Sequence, residues 1–198
     1  RIFGAFTRLR IPFLSKIARN AFASYYKLDM SESEYPLSHY KNIGELFIRK
    51  LKPGMRPVAD GAEIVSPVDG VLSQTGKFDG DDQNLIQAKG KTYTLQSLLR
   101  SEELAERFKG GAFATIYLAP FNYHRIHSPV KGDLVLSSYC PGTLWPVNAG
   151  SVERVEGLFC INERLTSVLR LADGSEVLVV KVGATNVGRI GVVYNESI

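Results

Sequence analysis

The chain has 198 residues, 44% of them hydrophobic and 22% charged, which is enough for one globular domain with a substantial core. Its net charge of +4 is uneven, because residues 1–27 hold six of the 24 basic residues and none of the 20 acidic ones. The remainder therefore has 18 basic and 20 acidic residues, a net charge of −2. Nucleic-acid-binding domains usually carry basic charge on their folded face, so this distribution argues against a nucleic-acid partner.

The N-terminal segment, residues 1–28, has the pattern of basic amphipathic helices. Pro12 is well placed to begin a helix, and Lys16, Arg19 and Lys27 fall opposite its apolar side. No charge-free run approaches the roughly 18 apolar residues that a membrane span needs. Either the apolar side packs on the rest of the protein or it lies among lipid headgroups, and the all-basic charge and the aromatic residues favour an anionic membrane surface. The apolar positions are Leu14, Ile17, Ala18, Ala21, Phe22, Tyr25 and Leu28.

The remaining residues, 29–198, have the pattern of an α+β domain that is mainly β. "NIGELFIRKL", Asn42–Leu51, predicts a short helix with Asn42 as its N-cap. Short β-branched and aromatic runs follow, and Asp173-Gly174 predicts the turn of a β-hairpin. "LQSLLRSEELAERFKGG" predicts the one helix inside this β region. We therefore predict a compact, mainly antiparallel β-rich catalytic domain at 29–198 with a few helices, preceded by membrane-association helices at 1–28.

A pair of histidines, His124 and His127, follows the predicted strand "AFATIYLAP". To act together they require a curled backbone, because residues i and i+3 of a strand face opposite ways. A metal site would need further ligands, but His39 has the pattern of a surface residue and Cys140 and Cys160 that of small thiols. Two separate structural histidines and a proton-transfer pair remain as alternatives.

A working imidazole normally needs a carboxylate to orient it, and Asp69 in "SPVDGVL" is the best candidate. The alternative is a β-turn aspartate that bonds to its own backbone. We expect the side chains of His127 and Asp69 to touch. A nucleophile is missing, since Ser151 and Ser175 follow glycines but neither lies in a GxSxG motif.

Motifs over essentially the whole chain resemble the bacterial phosphatidylserine decarboxylases, and the chain is identified as a member of that family. The pairing of a YHRIH segment with an upstream PVDG segment is the most specific part of the resemblance. The amphipathic start matches as well. The matching segments, in chain order, are "FIRKLKPGMRPV", "SPVDGVLSQTG", "IQAKGKTYTLQSLL", "YLAPFNYHRIHSPVKG", "PGTLWPVN", "LFCINERL" and "VGATNVGRI".

The resemblance implies a proenzyme that cleaves itself at a Gly-Ser bond, after which the new N-terminus of a small α chain becomes a pyruvoyl group. By position, Asp69 matches the aspartate and His127 the histidine that activate the serine. His124 matches the histidine of the decarboxylation step, and Tyr117 a residue lining the substrate pocket. An electron-accepting carbonyl is needed because no ordinary side chain can delocalise the carbanion left by CO₂. His124 is then expected to protonate that carbanion, which converts phosphatidylserine to phosphatidylethanolamine.

The LGST-type cleavage motif of that family is not found in these residues, so we expect this chain to be the large β chain and the serine to lie on the α chain. The resemblance also implies a homodimer of αβ units, peripheral on the cytoplasmic face of the bacterial inner membrane. Two alternatives are a non-catalytic lipid-binding or scaffold protein of the same fold and a metal-dependent hydrolase that uses the histidine pair.

Overall fold

The computed structural model describes residues 12–79, 83–88, 90–188 and 190–194. It has more strand than helix and its sheets are largely antiparallel, which confirms the predicted α+β class. The α-helices are α1 (Pro12–Tyr25), α2 (Ile43–Phe47), α3 (Leu95–Leu99), α4 (Glu102–Arg107), α5 (Ala149–Arg154) and α6 (Leu158–Ile161), with a short 3₁₀ helix at Leu37–His39. The strands are β1 (Val71–Lys77), β2 (Asn84–Ala88), β3 (Lys91–Thr94), β4 (Ala112–Tyr117), β5 (Asp133–Cys140), β6 (Arg164–Arg170) and β7 (Glu176–Val182).

The strands form three small sheets. β5, β6 and β7 make an antiparallel sheet in that order, β2 pairs antiparallel with β3, and β1 pairs with β4. The predicted hairpin is confirmed, because β6 and β7 are joined by a turn in which Gly174 has a φ of +87°. The carboxylate of Asp173 accepts hydrogen bonds from the backbone N–H and the hydroxyl of Ser175, which fixes this turn.

The chain divides into two compact units. The first comprises the described residues up to Ser73 together with Ile116–Lys131, and the second comprises Gln74–Thr115 and the residues from Gly132 onward. The first unit has a small core of Ala23, Tyr40 and Leu46. The second is built around Phe78, Leu85, Tyr93, Leu95, Leu98 and Ala105. The predicted boundary at residue 28 stays a prediction, and residues 1–11 lie outside the described part of the chain.

Helix α1 packs on the first unit through a stripe of small and polar residues. Ser15, Arg19 and Ala23, spaced four residues apart, are buried, and the Arg19 guanidinium donates to the carbonyl of Tyr40 at 2.6 Å. The predicted apolar side is divided, because Leu14 and Ile17 are each at least 50% exposed whereas Phe22 and Leu28 pack against the core of the first unit. No helix in the described ranges is long and apolar enough to cross a membrane.

Two details of the predicted helices are corrected by the structure. Helix α2 ends at Phe47, not Leu51, although Asn42 caps it as predicted by accepting from the Glu45 N–H. "LQSLLRSEELAERFKGG" forms two helices, α3 and α4, because Arg100 adopts a left-handed conformation and Ser101 caps a new helix. The expectation of one helix in the β region was therefore wrong, and α5 and α6 add two more.

The fully buried Leu46 provides a test of the small core of the first unit. We expect Leu46→Ala to lower the free energy of unfolding by about 2–5 kcal/mol, because it leaves a cavity in a cluster of few residues. Ile48→Ala is the matched control, since Ile48 is 54% exposed and its truncation should lose no more than about 1 kcal/mol. Urea unfolding of both variants measures the difference, and equal losses would contradict the assignment of Leu46 to the core.

Candidate active site

Two backbone hydrogen bonds join the aspartate segment to the histidine segment inside the first unit. The His127 N–H donates to the Pro67 carbonyl and the Val65 N–H donates to the Pro129 carbonyl, each at 2.9 Å. These two bonds bring residues 65–67 against residues 127–129 in antiparallel orientation, and Asp69 follows two residues after the paired stretch.

Glycine at position 70 permits this approach. A Cβ atom at Gly70 would lie 2.6 Å from the carbonyl oxygen of Tyr117 and 2.8 Å from the Cγ2 atom of Ile116. Any larger residue would therefore push the start of β1 away from the end of β4. Because the glycine of the "VDG" sequence has no side chain, Asp69 can lie next to the segment that follows β4.

Asp69 is held by an arginine that the sequence analysis did not single out. The Arg56 Nε donates to Oδ1 at 2.7 Å and Nη2 donates to Oδ2 at 2.6 Å, while Glu32 binds the same guanidinium at 2.8 and 3.1 Å. These bonds to Arg56, together with a hydrogen bond from the Tyr123 N–H, lower the pKa of Asp69 below its usual range, although partial burial opposes the shift. Asp69 is therefore an ionised, bidentate partner of Arg56 and is not a β-turn aspartate bonded to its own turn.

The expected contact between Asp69 and His127 is not formed. Within the part of the chain that the structure describes, no hydrogen bond or ion pair joins the two side chains. Instead the Nε2 atom of His127 lies 3.1 Å from the Tyr123 hydroxyl, and the two rings stack with centroids 5.6 Å apart. Because the Tyr123 N–H binds Asp69, this buried tyrosine connects the carboxylate to the exposed imidazole.

His124 has a different environment from His127. Its Nδ1 atom lies 2.9 Å from the Asn122 carbonyl, and because a carbonyl only accepts, Nδ1 carries a proton and Nε2 of the neutral ring has a lone pair. The ring packs on Phe47 with centroids 3.7 Å apart. Burial is the main cause that lowers the pKa of His124, and the bond to Asn122 acts in the opposite direction. Burial therefore favours the neutral form of the His124 ring, whose Nε2 atom has a lone pair available for proton transfer.

The other predicted residues lie around this pair or apart from it. Tyr117 is the last residue of β4 and is 38% exposed. The Tyr117 atoms that lie closest to Gly70 belong to its backbone. Cys140 and Cys160 are free and half-buried. Among the described residues, no group of three or more His, Cys, Asp and Glu is arranged to hold a metal ion. The roles assigned to Asp69, His124, His127 and Tyr117 stay predictions.

Two cavities flank the site in the first unit. The first, about 350 Å³, is lined by His127 and Tyr123 together with Lys50, Lys52, Arg56 and Arg125, and no carboxylate belongs to the described residues around it. The second, about 250 Å³, is lined by Tyr35, His39 and Ile48 and shares Lys50 and Arg125 with the first.

Arg49, which also lines the second cavity, is a buried charge with incomplete hydrogen bonding. Its side chain is 5% exposed, and Nη2 donates to the Phe121 carbonyl at 3.1 Å. Its Nε and Nη1 atoms have no hydrogen-bond partner among the described residues. Burial lowers the pKa of Arg49, while Tyr40 and nearby carboxylates, including Asp69, oppose the shift. Arg49 therefore adds positive potential to the unit that contains both histidines.

Sequence reasoning missed Arg56 and underrated Tyr123. Arg56 lies in the turn-rich stretch "KPGMRP", where nothing in the local pattern points to Asp69, which is 13 residues away. Tyr123 lies inside "YHRIH", so its position next to the histidines was visible, but its link to Asp69 depends on the paired segments.

An α+β fold that gathers an ionised aspartate and two histidines with different hydrogen-bond partners defines a protein equipped for acid–base chemistry. The sequence profile described as phosphatidylserine decarboxylase matches residues 43–198. A phosphatidylserine decarboxylase proenzyme of Anaeromyxobacter sp. (strain K) is 50% identical over all of this chain and 70% of its own length. Proteins of the same name from Myxococcus xanthus and Brevibacillus brevis are 47% and 48% identical over 98% and 93% of this chain, and 69% and 65% of their own lengths. The chain belongs to the phosphatidylserine decarboxylase family, which confirms the resemblance found in its motifs.

Replacing Arg56 tests what keeps Asp69 ionised. In Arg56→Gln we expect the pKa of Asp69 to rise to its ordinary value or above it, because the cation is lost and the Glu32 carboxylate remains nearby. A lowered pKa of Asp69 stabilises the folded state at neutral pH, and this stabilisation disappears as the pH falls from about 4 through the pKa of folded Asp69. Over that pH range the free energy of unfolding of the variant should therefore fall less than that of the parent. Carboxyl-carbon NMR titration measures the pKa, and Arg56→Lys, which keeps the charge, is the control. An unchanged pKa in Arg56→Gln would show that another group holds Asp69 ionised.

Proposed function

We propose that this chain is the large β chain of a phosphatidylserine decarboxylase, which converts phosphatidylserine to phosphatidylethanolamine and CO₂ after self-cleavage of a proenzyme. The observation that carries the proposal is the 50% identity over the whole chain to a protein named phosphatidylserine decarboxylase proenzyme. The grouping of Asp69, His124 and His127 in one unit supports it, because proton transfer is required both to cut the chain and to complete the decarboxylation.

Decarboxylases of this family generally depend on a pyruvoyl group, and we propose that a separate small α chain carries it here. When bound, the group supplies the carbonyl that accepts the electrons released with CO₂. The residues present fit such a group, since its oxygens only accept hydrogen bonds and the first cavity offers the donors Tyr123 and His127. We therefore expect these two residues to hold it.

The two histidines have separate tasks in this proposal. His127 accepts the proton of the attacking serine, with Tyr123 fixing its ring and the nearby Asp69 charge stabilising the imidazolium. His124 takes up a proton from water at Nε2 and donates it to the substrate carbon, where it replaces the CO₂ that has left. The different partners of the two rings support this division.

Histidine variants of the full proenzyme test the proposal. We expect His127→Ala to remain uncut on a denaturing gel, because the serine loses its base. His124→Ala should be cut at least in part but release CO₂ from phosphatidylserine about 10²–10⁴-fold more slowly, the usual contribution of general acid–base catalysis. Ser175→Ala, in the β6–β7 turn, is the control and should behave as the parent.

Intact-mass measurement of the same preparations separates the enzyme from its non-catalytic alternative. A small companion chain with a blocked, pyruvoyl-type N-terminus is expected in the parent and in the Ser175→Ala control. A parent protein that stays in one piece and releases no CO₂ would instead favour a lipid-binding or scaffold protein, and full turnover by His124→Ala would refute the role of that histidine.

We also propose that the protein binds the surface of an anionic membrane, on the cytoplasmic face of the bacterial inner membrane, and that αβ units form a homodimer. The exposed apolar side of α1 supports the first part, because Phe13 and Tyr25 are 72% and 80% exposed beside Leu14 and Ile17. Arg19 does not contribute charge to this surface, since it is buried against the Tyr40 carbonyl.

Liposome sedimentation tests the membrane proposal. The intact protein should sediment with anionic vesicles and be released by salt, because basic side chains are attracted to anionic lipid. Leu14→Gln with Ile17→Gln should reduce sedimentation several-fold, and Asn20→Gln, a polar exchange at an exposed position of α1, is the control. If a protein that lacks residues 1–28 sedimented as much as the parent, the membrane proposal would be wrong.

A further inference from the structure

The two cavities of the first unit are neighbours, because Lys50 and Arg125 line both of them, and together they are called the groove below. One end of the groove holds His127 and Tyr123, where we propose that the pyruvoyl group lies, whereas His124 lines neither cavity. The other end holds the stacked pair of Tyr35 and His39, the exposed side chain of Ile48 and the carboxylates of Glu34 and Glu45. The shared cations therefore lie between the end with His127 and an end that combines aromatic, aliphatic and acidic side chains.

The backbone fixes the positions of these cations. The Glu34 N–H donates to the Lys50 carbonyl and the Lys52 N–H donates to the Glu32 carbonyl, so residues 50–52 are extended. In an extended segment Lys50 and Lys52 point to the same side. Arg125 is held by its Nε, which donates to the Ile48 carbonyl at 2.8 Å and leaves its terminal nitrogens for another partner.

The cations at the middle of the groove form no direct ion pair. Arg56 is paired with both Asp69 and Glu32, but Lys50, Lys52 and Arg125 form no ion pair with any described carboxylate, although Glu34 and Glu45 line the second cavity. Lys52 donates to the Ser31 carbonyl, which carries no net charge. An anion that entered the first cavity, whose described lining holds no carboxylate, would therefore meet two or three cations without an ion-pair partner close to His127.

We infer that Lys50 and Arg125 bind the phosphodiester of the phospholipid substrate, with the amino-acid headgroup directed to His127 and the glycerol end directed to Tyr35 and His39. The inference rests on the proposed function and names the group that the groove recognises. Guanidinium and ammonium groups are the usual partners of phosphate oxygens. One oxygen and one methylene carbon separate the phosphorus from the reacting carbon of phosphatidylserine, and Arg125 lines the first cavity together with His127 and Tyr123, so a phosphate bound by Arg125 leaves the amino-acid end close to the proposed pyruvoyl group.

The carboxylate of the substrate is the other anion that these cations could hold, and the chemistry argues against it. A strong ion pair with the carboxylate would stabilise the substrate more than the transition state, in which that negative charge is lost with CO₂. The phosphodiester keeps its charge throughout the reaction. Cations that bind it hold substrate and product alike and leave the barrier to decarboxylation unchanged.

Lys50→Gln and Arg125→Lys in the processed enzyme test the inference by separating KM from kcat. Lys50→Gln should raise KM for a short-chain phosphatidylserine roughly tenfold to a hundredfold, the loss expected for one charge-assisted hydrogen bond, with little change in kcat. Arg125→Lys keeps the charge and should have a smaller effect. Lys41→Gln, an exposed lysine outside both cavities, is the matched control.

Binding of glycerophosphoethanolamine, which has the phosphodiester but no carboxylate, gives a readout that does not depend on turnover. Calorimetry should show that the parent binds it, that inorganic phosphate competes, and that Lys50→Gln weakens the binding by the same factor as KM. Binding of glycerophosphoserine without binding of glycerophosphoethanolamine would assign the cations to the carboxylate and overturn the inference. Equal binding and KM in parent and Lys50→Gln would also overturn it, while leaving the decarboxylase proposal intact.

A parent enzyme that releases no CO₂ would instead contradict the proposed function. The calorimetric comparison of parent and Lys50→Gln would then decide the phosphodiester site independently.

Discussion

The pairing of residues 65–67 with residues 127–129 is the constraint on which the candidate site depends. Two backbone hydrogen bonds set the register between segments that are about 60 residues apart in the chain, and proline carbonyls accept both of them. Because Gly70 allows β1 to begin directly against Tyr117, Asp69 lies beside the segment that follows β4 and carries the histidines.

Within this frame the charges are arranged in a chain of partners. Glu32 and Asp69 share the guanidinium of Arg56, the Tyr123 backbone binds Asp69, and the Tyr123 hydroxyl meets His127. His124 stands outside that chain, with its own backbone partner and an aromatic neighbour. Two histidines three residues apart thus differ in exposure and in hydrogen bonding, which permits one short segment to perform two different proton transfers.

The sequence allowed the fold class, the β6–β7 hairpin and the Asn42 cap to be predicted, because each depends on residues close together in the chain. It also placed Asp69 and the histidine pair in one site through their motifs. The break at Arg100 could not be predicted from helical periodicity, since Ser101 competes for the same turn by capping the next helix. The role of Arg56 could not be predicted either, because its pairing with Asp69 depends on how a loop without a periodic pattern folds back on the paired segments.

Helix α1 is a second case in which the sequence pattern did not predict the packing. Its apolar periodicity was correct, but periodicity does not tell which side faces the protein, and the packing side is the stripe of Ser15, Arg19 and Ala23. The small residues of that stripe let the helix approach closely, and the Arg19 guanidinium caps carbonyls of the following loop. Phe22 and Leu28 also pack on the core of the first unit, so only the large apolar side chains of Phe13, Leu14, Ile17 and Tyr25 are left exposed.

The ion pair between Asp69 and Arg56 has a consequence for the rate of the proposed self-cleavage. A carboxylate whose charge is already shared with a guanidinium polarises a neighbouring imidazole only weakly, so the proposed self-cleavage would be a slow event. In the proposed mechanism, however, maturation happens once per molecule, whereas lipid turnover repeats many times and is assigned to His124, which does not touch this ion pair. A slow self-cleavage can therefore be tolerated, because the repeated decarboxylation determines how much product is made.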